Sequence, residues 1–236
     1  MKLCSTMGLS AVALGALLFG GVLLALADTA DQDHVVLECR ITQNMEQIRL
    51  SNFGEPPQWA FWLEDPESGD LQTVQVTYRS ASGDWVGKLE CPACLPRWFS
   101  VYREEFDEDR MPWLGDPLPD ALSGATPLEE KFQIIVEIPK GKPVFAWFEV
   151  NMSADFNTAF PPPGASGNMG DTDHDGQPSL IYRAELTATP GEKVEPEPWG
   201  YSRPGTRQGA VERDLEPLTT AKEIFQSIAF HVLEAE

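Results

Sequence analysis

The chain has 236 residues, with 17 Lys and Arg against 37 Asp and Glu, for a formal net charge of −20. So acidic a surface repels phosphate backbones and anionic headgroups, which argues against nucleic acid and membrane surfaces as partners. With 42% hydrophobic residues, 7 Trp and 12 Phe, the acidity is not that of a disordered chain, and a packed core is expected.

Residues 1–27 read as a secretory signal. Lys2 supplies the positive start, Leu9 to Leu26 an apolar or small run, and Ala25-Leu26-Ala27 a small-residue cleavage site before Asp28. No positive stop-transfer flank follows that run, so the expectation is a periplasmic or secreted protein without membrane insertion once the signal is removed. Residues 28–236 are then a single domain.

Beyond the signal, Val35, Leu37, Cys39 and Ile41 alternate with mostly polar neighbours and predict a strand with one buried face. Ile48 and Leu50 suggest its partner strand, with a turn over 44–46. Trp59 to Leu63 is an apolar, aromatic run too short for a helix, which suits a central strand. Val74, Val76 and Tyr78 alternate with Gln75 and Thr77 after turn chemistry at Pro66–Asp70. Trp98–Phe106 invites one or two helical turns.

The alternation returns with Phe132, Ile134, Val136 and Ile138. A break at Pro139–Pro143 and a second strand over Val144–Val150 follow, and the short connection predicts that these two strands pair antiparallel. Leu180, Tyr182, Ala184 and Leu186 make another strand. Thr220-Ala221-Lys222-Glu223 fits a capping box for a short helix, which runs into a closing strand at Ile228, Phe230 and Val232. Seven or more short strands between turn signals predict a mainly β fold, an antiparallel β-sandwich of immunoglobulin-like general shape with one short helix near the C-terminus. Long loops are expected over 151–178 and 188–217.

Cys39, Cys91 and Cys94 lie beyond the signal. The Cys91-Pro92-Ala93-Cys94 spacing is open to disulfide, redox or zinc chemistry, whereas Leu95 stands where haem attachment requires His. Thioredoxin-type chemistry requires an alternating strand–helix pattern that this chain lacks. The expected state is a structural disulfide, either Cys91–Cys94 or Cys39 with one of them. Asp171-Thr172-Asp173-His174-Asp175-Gly176 opens like a calcium loop, in which Asp171, Asp173 and Asp175 would converge on Ca²⁺. The twelfth position, however, is Tyr182 rather than a bidentate Glu. A solvated acidic loop leading into a strand is the simpler reading.

Asp120-Ala121-Leu122-Ser123-Gly124-Ala125-Thr126 is the sharpest motif in the chain. It matches D-x-x-[ST]-G-A-[TS] and so resembles the acceptor sequence on which extracytoplasmic flavin transferases place FMN. The resemblance implies a phosphoester between the Thr126 hydroxyl and FMN. Ser123, Gly124 and Ala125 would be the small neighbours that let the segment enter another enzyme, and Asp120 would meet the transferase's metal or position the loop. Gly115–Pro119 and Pro127 flank the motif with turn chemistry, which predicts an exposed loop.

A wider resemblance rests on Trp59–Asp65, Asp120–Thr126, Phe148–Asn151, Gly176–Tyr182 and Thr219–Ala221, in that order. These segments resemble an uncharacterised family of predicted bacterial periplasmic proteins, often encoded near flavin transferases and PepSY-type membrane reductases. That resemblance implies a flavin transferase and a membrane reductase as partners. Two functions therefore follow as expectations: an FMN-bearing electron carrier, or a non-catalytic accessory sandwich that holds a metal or a partner. A hydrolase is disfavoured because G-x-S-x-G and H-E-x-x-H are both absent.

Overall fold

The computed structural model describes residues 33–50, 56–84, 94–107, 110–112, 127–162, 176–203 and 209–235, and the backbone of 122–124. Residues 33–236 make one compact unit. The eleven described strands are β1 (His34–Gln43), β2 (Gln58–Glu64), β3 (Leu71–Thr77), β4 (Leu122–Gly124), β5 (Lys131–Pro139), β6 (Pro143–Asn151), β7 (Ser179–Thr187), β8 (Lys193–Val194), β9 (Glu197–Ser202), β10 (Val211–Glu212) and β11 (Phe225–Glu234). Helices α1 (Met45–Leu50), α2 (Tyr78–Ser82) and α3 (Pro96–Glu105) and a 3-10 turn (Thr220–Glu223) complete them.

Two sheets form, of order β5-β1-β11-β8 and β10-β9-β7-β6-β2-β3-β4. Every named pairing is antiparallel except β3 with β4, which is parallel. The fold is thus mainly β and a sandwich, as the alternation predicts. Val35, Leu37, Cys39 and Ile41 of β1 meet Trp59 and Phe61 of β2, Phe148 and Val150 of β6, and Leu180 of β7 in one core between the sheets. Trp59 stacks on Phe132 and on Phe148 at 5.5 and 5.2 Å, tying β5 of one sheet to β2 and β6 of the other.

A second core lies on the far side of the seven-stranded sheet. Because strand side chains alternate, Ala60, Trp62, Trp147 and Ile181 face away from the sandwich interior and are covered by Leu95, Trp98, Phe99, Val101 and Tyr102 of the α3 region. Pro96 suits the first turn of α3, and Trp98, Val101 and Tyr102 fall at helical spacing, so one stripe meets the sheet. Trp62 and Trp147 stack at 6.0 Å across β2 and β6 beneath it.

Four expectations are corrected. Ile48 and Leu50 form no strand: the Asn44 side chain accepts a hydrogen bond from Gln47 N–H and starts α1, which buries Ile48 and leaves Leu50 71% exposed. Both edges of β1 are already taken by β5 and β11. Nor do β5 and β6 pair. The turn after Pro139 carries the chain from one sheet to the other, since both strands bury an apolar face against the same core. The 188–217 loop contains β8, β9 and β10; Pro190-Gly191 makes the turn before β8, whereas Pro198 and Gly200 lie within β9. The capping box is not made either. No side-chain cap bond forms at the 3-10 turn, and the Thr220 hydroxyl binds Asp155 at 2.5 Å instead.

Candidate functional site

The acceptor-like motif joins the fold through β4. Leu122, Ser123 and Gly124 pair in parallel with Gln75, Val76 and Thr77, and β4 is the end strand of the seven-stranded sheet. Thr77 is anchored in turn, its hydroxyl donating to Gln58 Oε1 at 2.7 Å and accepting from Trp59 N–H at 3.4 Å. Asp120, Ala125 and Thr126 lie outside the described residues. On the far side of Thr126 the chain is held again. Gln43, fully buried at the end of β1, donates from Nε2 to Pro127 O at 3.0 Å and Glu129 O at 2.8 Å. Its backbone N–H reaches Glu130 O at 2.7 Å. The chain is thus fixed at Gly124 on the rim of one sheet and again at Pro127, beside the end of β1 in the other.

The remaining segments of the wider resemblance meet at the same end of β6. Glu149 interrupts the apolar run of β6 and faces α3 with no solvent exposure. Its Oε1 accepts from Arg97 N–H at 3.1 Å and from the Ser179 hydroxyl at 2.6 Å, and its Oε2 accepts from Trp98 N–H at 2.6 Å. The carboxyl thus receives two amides of the first turn of α3, which otherwise lack partners within the helix. Burial pushes its pKa up to about 7, against the opposing pull of those bonds and of the Arg97 charge.

Two residues along the strand, Asn151 donates to Gln177 O at 3.1 Å. The Gln177 side chain, 1% exposed, is the hub of a second buried network. Its Nε2 donates to Asp155 Oδ2 at 2.7 Å and reaches Thr220 Oγ1 at 2.5 Å, while its Oε1 accepts from Thr219 N–H at 2.7 Å. Burial raises the Asp155 pKa, partly offset by the Thr220 hydroxyl. Gly176, with φ of +86°, permits the close parallel bridge to Asp155: a Cβ there would lie 2.6 Å from Asp155 O.

Three of the quoted segments are thus linked by direct side-chain bonds, Glu149 to Ser179 and Asn151 and Thr219 to Gln177, and Trp59–Phe61 joins them by strand pairing with Phe148–Val150. Sequence reasoning assigned Glu149, Asp155 and Gln177 no role. The legible signal was confined to Glu149, a carboxylate inside the apolar run of β6; Gln177, between Gly176 and Pro178 ahead of β7, and Asp155 carry no local signal of burial.

The cysteine expectation is corrected in part. Cys39 is a free thiol in the core between the sheets, whereas Cys94 is buried in the core beneath α3, so the seven-stranded sheet separates them. Burial, reinforced by the neighbouring Glu38 carboxylate, pushes the Cys39 thiol far above its ordinary range. Cys91, and with it the Cys91–Cys94 pairing, lies outside the described residues. So do Asp171, Asp173 and Asp175. Among the described residues no group of three His, Cys, Asp or Glu is arranged to hold a metal ion, and no helix is long and apolar enough to cross a membrane.

Compared with protein-family models, with curated proteins and with solved structures, the chain matches none of them.

Proposed function

We propose that this is an exported, extracytoplasmic electron carrier bearing FMN as a phosphoester on Thr126, loaded by a flavin transferase and reduced by a membrane partner. The observation that supports this reading is the end-strand position of Leu122–Gly124. Three residues paired on one side only can peel from a sheet at small cost, as a foreign active site would require. Forming the ester joins Thr126 Oγ1 to phosphorus and releases the hydroxyl proton. The bond broken is the phosphoanhydride of an activated flavin phosphate, such as a flavin dinucleotide, and the nucleoside monophosphate leaves. The attached isoalloxazine would supply the redox chemistry, while the pairing of Gly124 with Thr77 and the bond from Gln43 to Pro127 fix the chain on either side of Thr126 in the sequence.

The test is intact mass after co-expression with a flavin transferase. One FMN is expected on the wild type and none on Thr126→Ala. No increment, or one that survives Thr126→Ala, overturns the proposal.

A second reading, a non-catalytic accessory sandwich, is favoured by the fact that Glu149 and Gln177 spend their side-chain bonds on holding the fold. Its metal-binding form, with Ca²⁺ at Asp171, Asp173 and Asp175, requires a melting temperature that responds to Ca²⁺ and to chelator.

A further inference from the structure

Helix α3 is fastened to the seven-stranded sheet at both ends by carboxyl groups. At its start, Glu149 of β6 receives the Arg97 and Trp98 amides. At its end, Glu105 accepts from the Thr73 amide at 2.9 Å and from the Thr73 hydroxyl at 2.5 Å, and that hydroxyl also accepts from Trp98 Nε1 at 3.2 Å. Between the two fastenings lie Trp98, Phe99, Val101 and Tyr102, which cover Ala60, Trp62 and Ile181. Gly209, in the connection from β9 to β10, packs against Pro96, Arg97 and Ser100 from outside.

Glu149 has no ion-pair partner among the described residues. Arg97, the nearest cation on α3, directs its guanidinium to Ser100 Oγ at 3.3 Å. From β7, Ser179 and Ile181 lie nearest on this face, and Arg183 further along stacks on Phe145 and Trp199. From β2 the facing residues are the neutral Gln58 and Ala60. From β9 comes Ser202, followed in the chain by Arg203, which pairs with Glu212. The pull of a helix N-terminus on an anion is small beside the cost of burying an unpaired charge. Burial outweighs the helix.

The neutral acid has a ready partner. Ser179 Oγ lies 2.6 Å from Glu149 Oε1 and 3.2 Å from Ser202 O. By turning its hydroxyl toward Ser202 O, Ser179 changes from donor to acceptor for a protonated Oε1, while both helix amides keep their acceptors.

We propose that α3 is a proton-dependent strap, docked most firmly while the Glu149 carboxyl is neutral and released more readily as that carboxyl ionises. Release would bare the aromatic face of the sheet around Trp62 and part the helix from Gly209. The sign follows from linkage. A carboxyl that titrates near 7 when docked, and near 4.5 when exposed to water, holds its proton more tightly in the docked state. Docking is therefore weakened as pH rises between those values. Burial also raises the Glu105 pKa, so the second fastening acts in the same direction.

Amide hydrogen exchange on the full chain, corrected for intrinsic rates, tests this at pH 5.5 and 8.5. Protection of the α3 amides should fall on the order of 10- to 30-fold more than that of β1. In Glu149→Gln that difference should shrink to the part owed to Glu105. The proposal is overturned if α3 and β1 respond alike in the wild type, or if Glu149→Gln keeps the full difference. Should that variant not fold, a carboxyl ¹³C titration of Glu149 in the wild type decides the matter: a midpoint at about 6 or above supports the strap, and a lower one removes it.

Discussion

Replacing Gln177 with Leu should be among the most damaging single changes outside the apolar cores. The side chain is 1% exposed and reaches Asp155, Thr219 and Thr220. Leucine matches it in approximate volume, so the loss is one of bonding rather than of space. The Thr219 amide loses its acceptor and the Asp155 carboxyl loses a donor. A buried polar group left unpaired costs about 1–3 kcal/mol, and relief of amide desolvation returns part of that sum. The expected loss is about 2–4 kcal/mol, a large fraction of the 5–15 kcal/mol typical of a domain. Urea unfolding followed by tryptophan fluorescence measures it, because Trp59, Trp62 and Trp98 are fully buried. The midpoint should drop with an unchanged slope. A loss under about 1 kcal/mol would mean that water serves these groups as well as Gln177 does, and that the network does not fasten the 3-10 turn to the sheet.

Gly176→Ala should destabilise by about 2–4 kcal/mol, since it combines a left-handed φ with a methyl group driven into the Asp155 backbone; a change under 1 kcal/mol would refute the close approach. Cys39 should resist thiol reagents in the native protein and react only on unfolding, as a fully buried thiol with a raised pKa must; rapid labelling of Cys39 at neutral pH without denaturant would contradict its placement.

How much of this was legible in the chain depends on the range of the interaction. Period-2 alternation names a strand and its buried face from side chains a few residues apart, so Val35–Ile41 and Leu180–Leu186 are readable directly, and the short aromatic run Trp59–Leu63 reads as a central strand from its length and composition. Alternation is silent on which strands are neighbours. It could not say that Pro139–Pro143 crosses between sheets instead of closing a hairpin, nor that β1 already has two partners when the chain reaches Ile48. Short apolar runs are ambiguous for the same reason: two residues of alternation cannot outweigh a capping Asn44.

The acceptor-like motif shows the same division. Its residue types are a local property and can be recognised from seven letters, but pairing of Gly124 with Thr77 and the hold of Gln43 on Pro127 join positions far apart in the chain. Glu149 marks the limit most clearly. By itself the sequence determined that a carboxylate stands in an apolar strand, where it must be either an error of burial or a partner to something. Only the tertiary structure decided that the partners are two amides of a helix some fifty residues earlier and a serine thirty residues later. Burial energy depends on what surrounds a group in space, and the chain brings those surroundings together only by folding.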